Sequence, residues 1–327
     1  MKTGKVSESM LKRSILKQIK TKREEVVQGA GIGEDCAFFA FYEGEMTAVS
    51  TAPVITSNQE EIVPLMIAAV NNIAAKGAEP VSILLNMLLP EDIFESDIQE
   101  LMAQVEKGCE KLHIQLAGGH TQVTSAVIRP VFTITAIGKI AEQARLLGKY
   151  KAGQDIVLTK WIGLLGTSLL ASNKKQVLLQ RLPAYLIEEA IEFKRFASVV
   201  PEAATAMKSG VSGMHDVSHG GIFAALWELA EQAGVGLEID LKKIPVKQET
   251  IEICEVLELN PYELYGAGAL LIVCDHGLEI IRQLEKENIS AVVIGKITDE
   301  KGKVVVNEEE RRFLDRPKSD ELDRVLG

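Results

Sequence analysis

VNNIAAKGAEP, residues 70–80, closes one of the most apolar runs in the chain. The residues ahead of it, IVPLMIAA, predict a buried helix over 60–77 that carries two neighbouring amides, Asn71 and Asn72. A buried polar side chain costs free energy unless it finds partners, so this pair must face something polar. The stretch that follows, VSILLNMLLP (81–90), is a near-continuous apolar run, the pattern of a strand covered on both faces.

On the N-terminal side, QGAGIGEDCAFFAF (28–41) joins a glycine-rich turn to a short apolar strand, and MTAVSTAP (46–53) predicts a second strand ending at Pro53. On the C-terminal side, Phe94, Ile98, Leu101, Met102, Val105, Cys109 and Leu112 recur at steps of three and four, the stripe of a helix with one buried face. IQLAGGHTQVT (114–124) reads as a brief strand running into a glycine turn, and VIRPVFTITAIGKI (127–140) as a long strand. The pattern lapses over AEQARLLGKYKAGQ (141–154), which places a domain boundary near residue 145.

The second half starts again with a strand, DIVLTK, and a helix, WIGLLGTSLLAS, capped by Thr167; helices follow near 185–208. GMHDVSHGG (213–221) reads as a polar loop feeding an amphipathic helix with Ile222, Leu226, Leu229 and Ala233 on one side. GLEID, ALLIVCD, AVVIGKI and KVVVN are strands. Each half mixes strands and helices, so the expected fold class is mixed α/β in two domains, 1–145 and 146–327.

The chain's 327 residues, 46% hydrophobic and 25% charged, can build two cores. A net charge of −10 argues against nucleic acid as the main partner and favours a small molecule or a protein. No apolar run is long enough to span a membrane, and the basic N-terminus lacks the apolar core of a secretory signal, so the expected location is cytoplasmic. Four cysteines without a CxxC pair point away from structural zinc or disulfides; Cys36, beside the first glycine turn, reads as a buried strand residue.

Three turns of the first half, GAGIGEDCA (29–37), STAPVITS (50–57) and AGGHTQVT (117–124), have the glycines and small polar residues that let backbone amides approach an anion. Each alone is also an ordinary surface turn. The ordered series GxGEDxA, ST-x-PV, NNIAAKGAEP, AGGHTQ, MHDVSHGG and a late GALL strand, spread over about residues 25–300, resembles the aminoimidazole-ribonucleotide (AIR) synthetase superfamily. MHDVSHGG and GGHT bring it nearest to the hydrogenase-maturation branch typified by HypE. The resemblance implies a two-domain PurM-like fold whose N-terminal domains pair in a homodimer. It also implies ATP held with Mg²⁺ by the turns, and phosphorylation of an acyl-type oxygen on the substrate. Carried onto this chain, Asp35 and Asn72 would hold Mg²⁺. Gly31, Gly33, Glu34, Asn72, Gly118, Gly119, His120 and Thr121 would bind the nucleotide. Asp35 and Asp216 would serve catalysis, with Asp216 positioning the acceptor.

The chain departs from that pattern where acids are usual: Ala52 stands in the TDP position, Asn72 in the ND pair, and Gln122 after GGHT. Hard cations want carboxylate oxygens, so metal and ATP binding are expected to be weakened or lost. Lys76, one turn after Asn72, offers a cation for phosphate, or a solvated helix end. The ELDRVLG terminus holds no cysteine, which argues against carbamoyl chemistry on a C-terminal thiol as in the hydrogenase factor. The leading expectation is thus a HypE-like ATP-dependent phosphoryl-transfer or dehydration enzyme with an altered Mg²⁺ site. The alternative is a non-catalytic nucleotide- or protein-binding member. A zinc hydrolase using His215 and His219 ranks last, because their spacing suits a helix and not a glycine-rich loop.

Overall fold

The computed structural model describes residues 1, 3–34, 36–56, 58–146 and 148–326. Its contacts form two compact units, Met1–Ile73 with Ala78–Arg145, and Ala74–Gly77 with Leu146–Gly327.

The first unit runs β1 (Gly4–Lys5), α1 (Glu8–Met10), β2 (Val26–Gln28), β3 (Phe38–Phe39), β4 (Glu45–Ile55), α2 (Gln59–Ala74), β5 (Glu79–Leu89), α3 (Glu95–Leu112), β6 (Gln115–Val123) and β7 (Val131–Ala141). Five strands make one sheet in the order β1-β6-β5-β7-β4; β2 and β3 pair separately. Helices α2 and α3 cover one face of the sheet. A side chain at Gly108 of α3 would strike Met66 and Val63 of α2, and one at Gly138 of β7 would strike Ile73. Phe132, Ile134 and Ala136 of β7 point to that side and are buried, whereas Val131, Thr133 and Thr135 alternate with them and are half-buried.

Three expectations for the first unit change. β4 does not end at Pro53: it pairs with β7 over all eleven residues, with Pro53 opposite Thr133, so STAPVITS is mostly strand. As the edge strand it can accept a proline without losing a ladder bond. AGGHT is likewise no turn, since β6 continues through Gly118 and Gly119 and pairs in parallel with β5 after a bulge. The buried helix stops at Ala74, where Gly77, at φ 81°, folds back to bond the Ala74 carbonyl.

The second unit contains β8 (Asp155–Thr159), α4 (Leu164–Asn173), α5 (Lys175–Leu178), α6 (Ala184–Ile191), α7 (Val200–Lys208), β9 (Gly213–Val217), α8 (Gly221–Ala233), β10 (Gly236–Asp240), α9 (Gln248–Leu257), β11 (Ala269–Cys274), α10 (Gly277–Lys286), β12 (Ala291–Thr298), β13 (Lys303–Asn307), β14 (Glu310–Phe313) and α11 (Asp323–Leu326). Its seven-stranded sheet is ordered β14-β13-β10-β12-β8-β11-β9, with only β10 and β13 parallel among the pairs described. Cores fill both sides. One gathers Leu226 and Leu229 of α8 against Leu271 and Val273; the other gathers Ala203 of α7, Ile280 and Leu284 of α10 and Ile272. GMHDV forms strand β9 where a loop was expected, because it pairs with β11 from Gly213 to Val217. Thr167 is not a cap: Gly163 starts α4, and the Thr167 hydroxyl, fully buried, donates to the Gly163 carbonyl at 2.7 Å.

Candidate functional site

A cavity of about 470 Å³ lies in the first unit. It brings together two of the sequence motifs: Gly31, Gly33 and Glu34 of the first glycine turn line it, as do Gly118, Gly119, His120 and Thr121 of β6. Asn86 of β5 and Thr133 and Thr135 of β7 floor it, in register with His120 through the pairs Asn86–His120 and Asn86–Thr133. Leu11, Ile15 and Leu16 of the N-terminal segment, with Met102 and Leu116, add an apolar wall. Those residues lie on a π-helical turn, Leu11–Ile15, and the 3₁₀ turn that follows it. Arg13 and Ser14 bond the Glu95 carboxylate of α3 and hold that segment in place.

Backbone geometry explains the glycines unevenly. Gly119 has φ 146°, and a Cβ there would sit 1.9 Å from the Leu85 carbonyl oxygen, so strand pairing alone demands glycine. Gly33 has φ 77° with open space around it, and Gly118 would meet only the end of the Leu84 side chain. The freedom at those two positions is what a ligand approaching the backbone can use.

Among the described residues the cavity's charged lining is sparse. Glu34 bonds the Gln28 amide, Lys5 lies at the rim, and His120 is exposed. Asp35, expected both to hold metal and to serve catalysis, lies outside the described residues. Cys36 is exposed and lines the cavity, which corrects the expectation of a buried residue. Behind the glycine turn, Glu25 is buried between Arg23 and Lys139, with oxygen-to-nitrogen distances of 2.7 and 2.8 Å. The hydrogen bond from the Arg23 guanidinium is the main reason its carboxyl pKa drops to about 2, with Lys139 adding to it against the cost of burial.

Asn72 is not part of this lining. Its amide nitrogen donates to Ser50 Oγ at 3.1 Å, and Ser50 shares a strand face with the buried Val54, the side that α2 covers. The cavity floor, Thr133 and Thr135, lies on the opposite face, where Thr135 meets the Thr51 hydroxyl at 3.2 Å. Asn71 is buried. Among the described residues no group of three His, Cys, Asp or Glu side chains is placed to hold a metal ion. The described donors around the cavity, one carboxylate already bonded to an amide, do not by themselves fit a resident Mg²⁺.

Asp216, half-buried on β9, belongs to the second unit together with Lys76. The Lys76 ammonium bonds Gln232 at 3.1 Å; burial lowers its pKa, and the charges of Asp216 and Glu228 oppose that drop. His215 places Nδ1 2.8 Å from the Asp216 carbonyl and Nε2 3.4 Å from Glu228. The His219 ring lies instead against Tyr265, 4.7 Å away, so the two histidines serve different neighbours and form no zinc pair.

Sequence reasoning missed what anchors the turn after Asp216. The buried carboxylate of Asp320 accepts from the backbone amides of Gly220 (2.6 Å), Tyr265 (3.0 Å) and Leu322 (2.8 Å). Burial raises its pKa against the pull of those three bonds. Nothing local in KSDELDR signals an acceptor for amides 100 and 55 residues away.

Comparison with known proteins agrees with this architecture. Residues 33–140 match the AIR synthase related protein N-terminal domain, and residues 151–307 the C-terminal domain of the same family. A putative hydrogenase expression/formation protein of Methanocaldococcus jannaschii is 25% identical over 274 residues, 78% of this chain and 76% of the relative. The carbamoyl dehydratase HypE of Rhodobacter capsulatus is 25% identical over 206 residues, 62% of this chain and 58% of the relative. Among solved structures, the hydrogenase maturation protein HypE in complex with ATP superimposes with a TM-score of 0.79 at 17% identity, covering 96% of this chain and 95% of that one. These are likenesses of fold and family, and they agree with the mixed α/β, PurM-like architecture. With the two family models together spanning most of the chain, the protein belongs to the AIR synthase related family.

Proposed function

We propose that the chain is a HypE-like, ATP-binding member of this family that takes the nucleotide in the cavity of its first unit and drives phosphoryl transfer or dehydration with a weakened Mg²⁺ site. The observation that carries this reading is that the glycine turn and the GGHT segment, far apart in sequence, line one cavity that also has an apolar wall. In this reading the backbone at Gly31, Gly33 and Gly118 approaches the phosphates, His120 and Thr121 contact them, and Glu34 with Asp35 supplies the remaining acid. Mg²⁺, when bound, would offset phosphate charge there. Asn72, turned to Ser50 on the other strand face, would take no direct part, and Asp216 would position the acceptor. The names of the relatives support the nucleotide and the reaction class.

The bond from Asn72 to Ser50, with Ala52 on the same strand face, favours a second reading: a binding protein that kept the fold and lost catalysis. Thermal unfolding separates the outcomes. Ligand at ~100 times its Kd stabilises a folded protein by roughly 2.7 kcal/mol, a shift of a few degrees in Tm. ATP with Mg²⁺ is expected to produce that shift and to release phosphate slowly. A shift without phosphate release supports the second reading. No shift with ATP, ADP or GTP at any Mg²⁺ concentration rejects the first reading and the nucleotide-binding form of the second, leaving only a protein-binding member.

We further propose that the first units pair in a homodimer through the uncovered sheet face, where Val49 and Ile55 stand 63% and 59% exposed.

A further inference from the structure

A second cavity, of about 370 Å³, lies in the second unit where β8 ends and α9 begins. Its walls include Lys160, Trp161, Val246, Lys247, Ser290 and Val292. Lys160 takes φ 55°, a left-handed conformation that non-glycine residues rarely adopt, and its amide donates to the Ser290 carbonyl at 2.7 Å. Its ammonium is spoken for: it bonds the Phe196 and Ser198 carbonyls at 3.0 and 2.7 Å and pairs with the buried Glu202. Lys160 is therefore a fixed wall and not a free cation.

Two neighbours are left with capacity. Trp161 is only 9% exposed, wedged edge-on between Phe193 and Phe196, and its indole N–H is buried without an acceptor. Buried donors in native proteins are nearly always paired, so an orphan one beside a cavity calls for an explanation. Lys247 holds its ammonium 4.9 Å above the same indole and, among the described residues, has no carboxylate partner. It is also the residue that enters α9, whose N-terminus has no side-chain cap, so the positive end of that helix faces the same region. The first helical turn contains one acid, Glu249, and Glu202 is neutralised by Lys160.

We propose that this cavity is a binding site for a small anion, a carboxylate or phosphate group carried on a short apolar body. The anionic group pairs with Lys247 and supplies an acceptor for the Trp161 N–H, and the apolar body lies against Val246 and Val292. The volume suits a small metabolite. The site is independent of the nucleotide reading, since it lies wholly within the second unit.

The two tryptophans make the test direct, because Trp227→Phe leaves Trp161 as the sole indole. Inorganic phosphate and butyrate are titrated separately into the full chain, with choline as a cationic control. The site predicts a saturable change in Trp161 fluorescence with at least one anion and none with choline. Adding Lys247→Gln is expected to weaken that binding by roughly tenfold or more, the usual size of a lost charge-assisted bond. A response to phosphate alone assigns a phosphorylated ligand, and a response to butyrate alone assigns a carboxylate. If neither anion saturates, or if Lys247→Gln leaves the affinity unchanged, the proposal is overturned. Should Trp227→Phe fail to fold, 5-fluorotryptophan in the otherwise unaltered chain resolves the two indoles by ¹⁹F NMR and reads the same outcomes.

Discussion

The two sheets of this protein are built for different tasks. In the seven-stranded sheet, ALLIVC of β11 is buried at all six positions, with helices filling both sides. In the five-stranded sheet, β7 alternates buried Phe132 and Ile134 with half-buried Thr133 and Thr135. The first pattern spends every side chain on core. The second keeps one face for core and leaves the other, threonine-rich and edged by Val49 and Ile55, available to something outside the unit. Asn86, Thr133 and Thr135 of that second face line the cavity.

Three measurements put this contrast to the test. The largest effect is expected at Gly119, where the open-faced sheet has a rigid demand of its own. Gly119→Val drives Cβ into the Leu85 carbonyl and is expected to cost about 4 kcal/mol or more, or to abolish folding, as read by chemical denaturation. Next, Leu271→Ala in the doubly covered sheet is expected to lose about 2–5 kcal/mol, while Val49→Ala, measured at a concentration where the chain is monomeric, changes stability by no more than ~0.5 kcal/mol. Equal losses would erase the distinction between the sheets.

The smallest effect is in acid, and its sign differs between the units. Glu25, ordinarily titrating near 4.5, is held at about 2 in the folded first unit. Its contribution is fully present above pH 4.5, declines as pH falls, and is gone below about 2. Asp320 in the second unit goes the other way: its pKa is raised above 3.8, so the burial penalty on its charged form is relieved as pH falls through the raised value. On acidification between pH 4.5 and 2 the first unit is expected to lose hydrogen-exchange protection before the second. Simultaneous loss would show that Glu25 does not limit the first unit.

Much of the architecture was legible. The apolar stripe of α3 and the runs of β5 and β11 announce themselves by period, because one buried face or two buried faces leave a direct mark on residue choice. Glycines misled where their reason was tertiary. Gly118 and Gly119 read as a turn, yet Gly119 serves a strand approaching Leu85. HDV read as loop because polar residues stand beside glycines there, and pairing with β11 along the sheet edge makes it regular. The cavity gathers two of the motifs the sequence singled out, but the sequence could not show that Asn72 turns to Ser50, 22 residues earlier, on the other face. The amide pair looked like ligand chemistry because a helix records which residues are buried, not which strand they meet.

One further consequence concerns dissection of the molecule. Ala74 and Ala75, at 1% and 0% exposure, are embedded in the hydrophobic cluster of the second unit with Val199, Met214 and Ile272, although the helix that Ala74 ends starts in the first. A fragment excised at residue 146 would therefore be born with a two-methyl notch in its interior. Supplying residues 70–80 as a free peptide should restore what severing the chain removes.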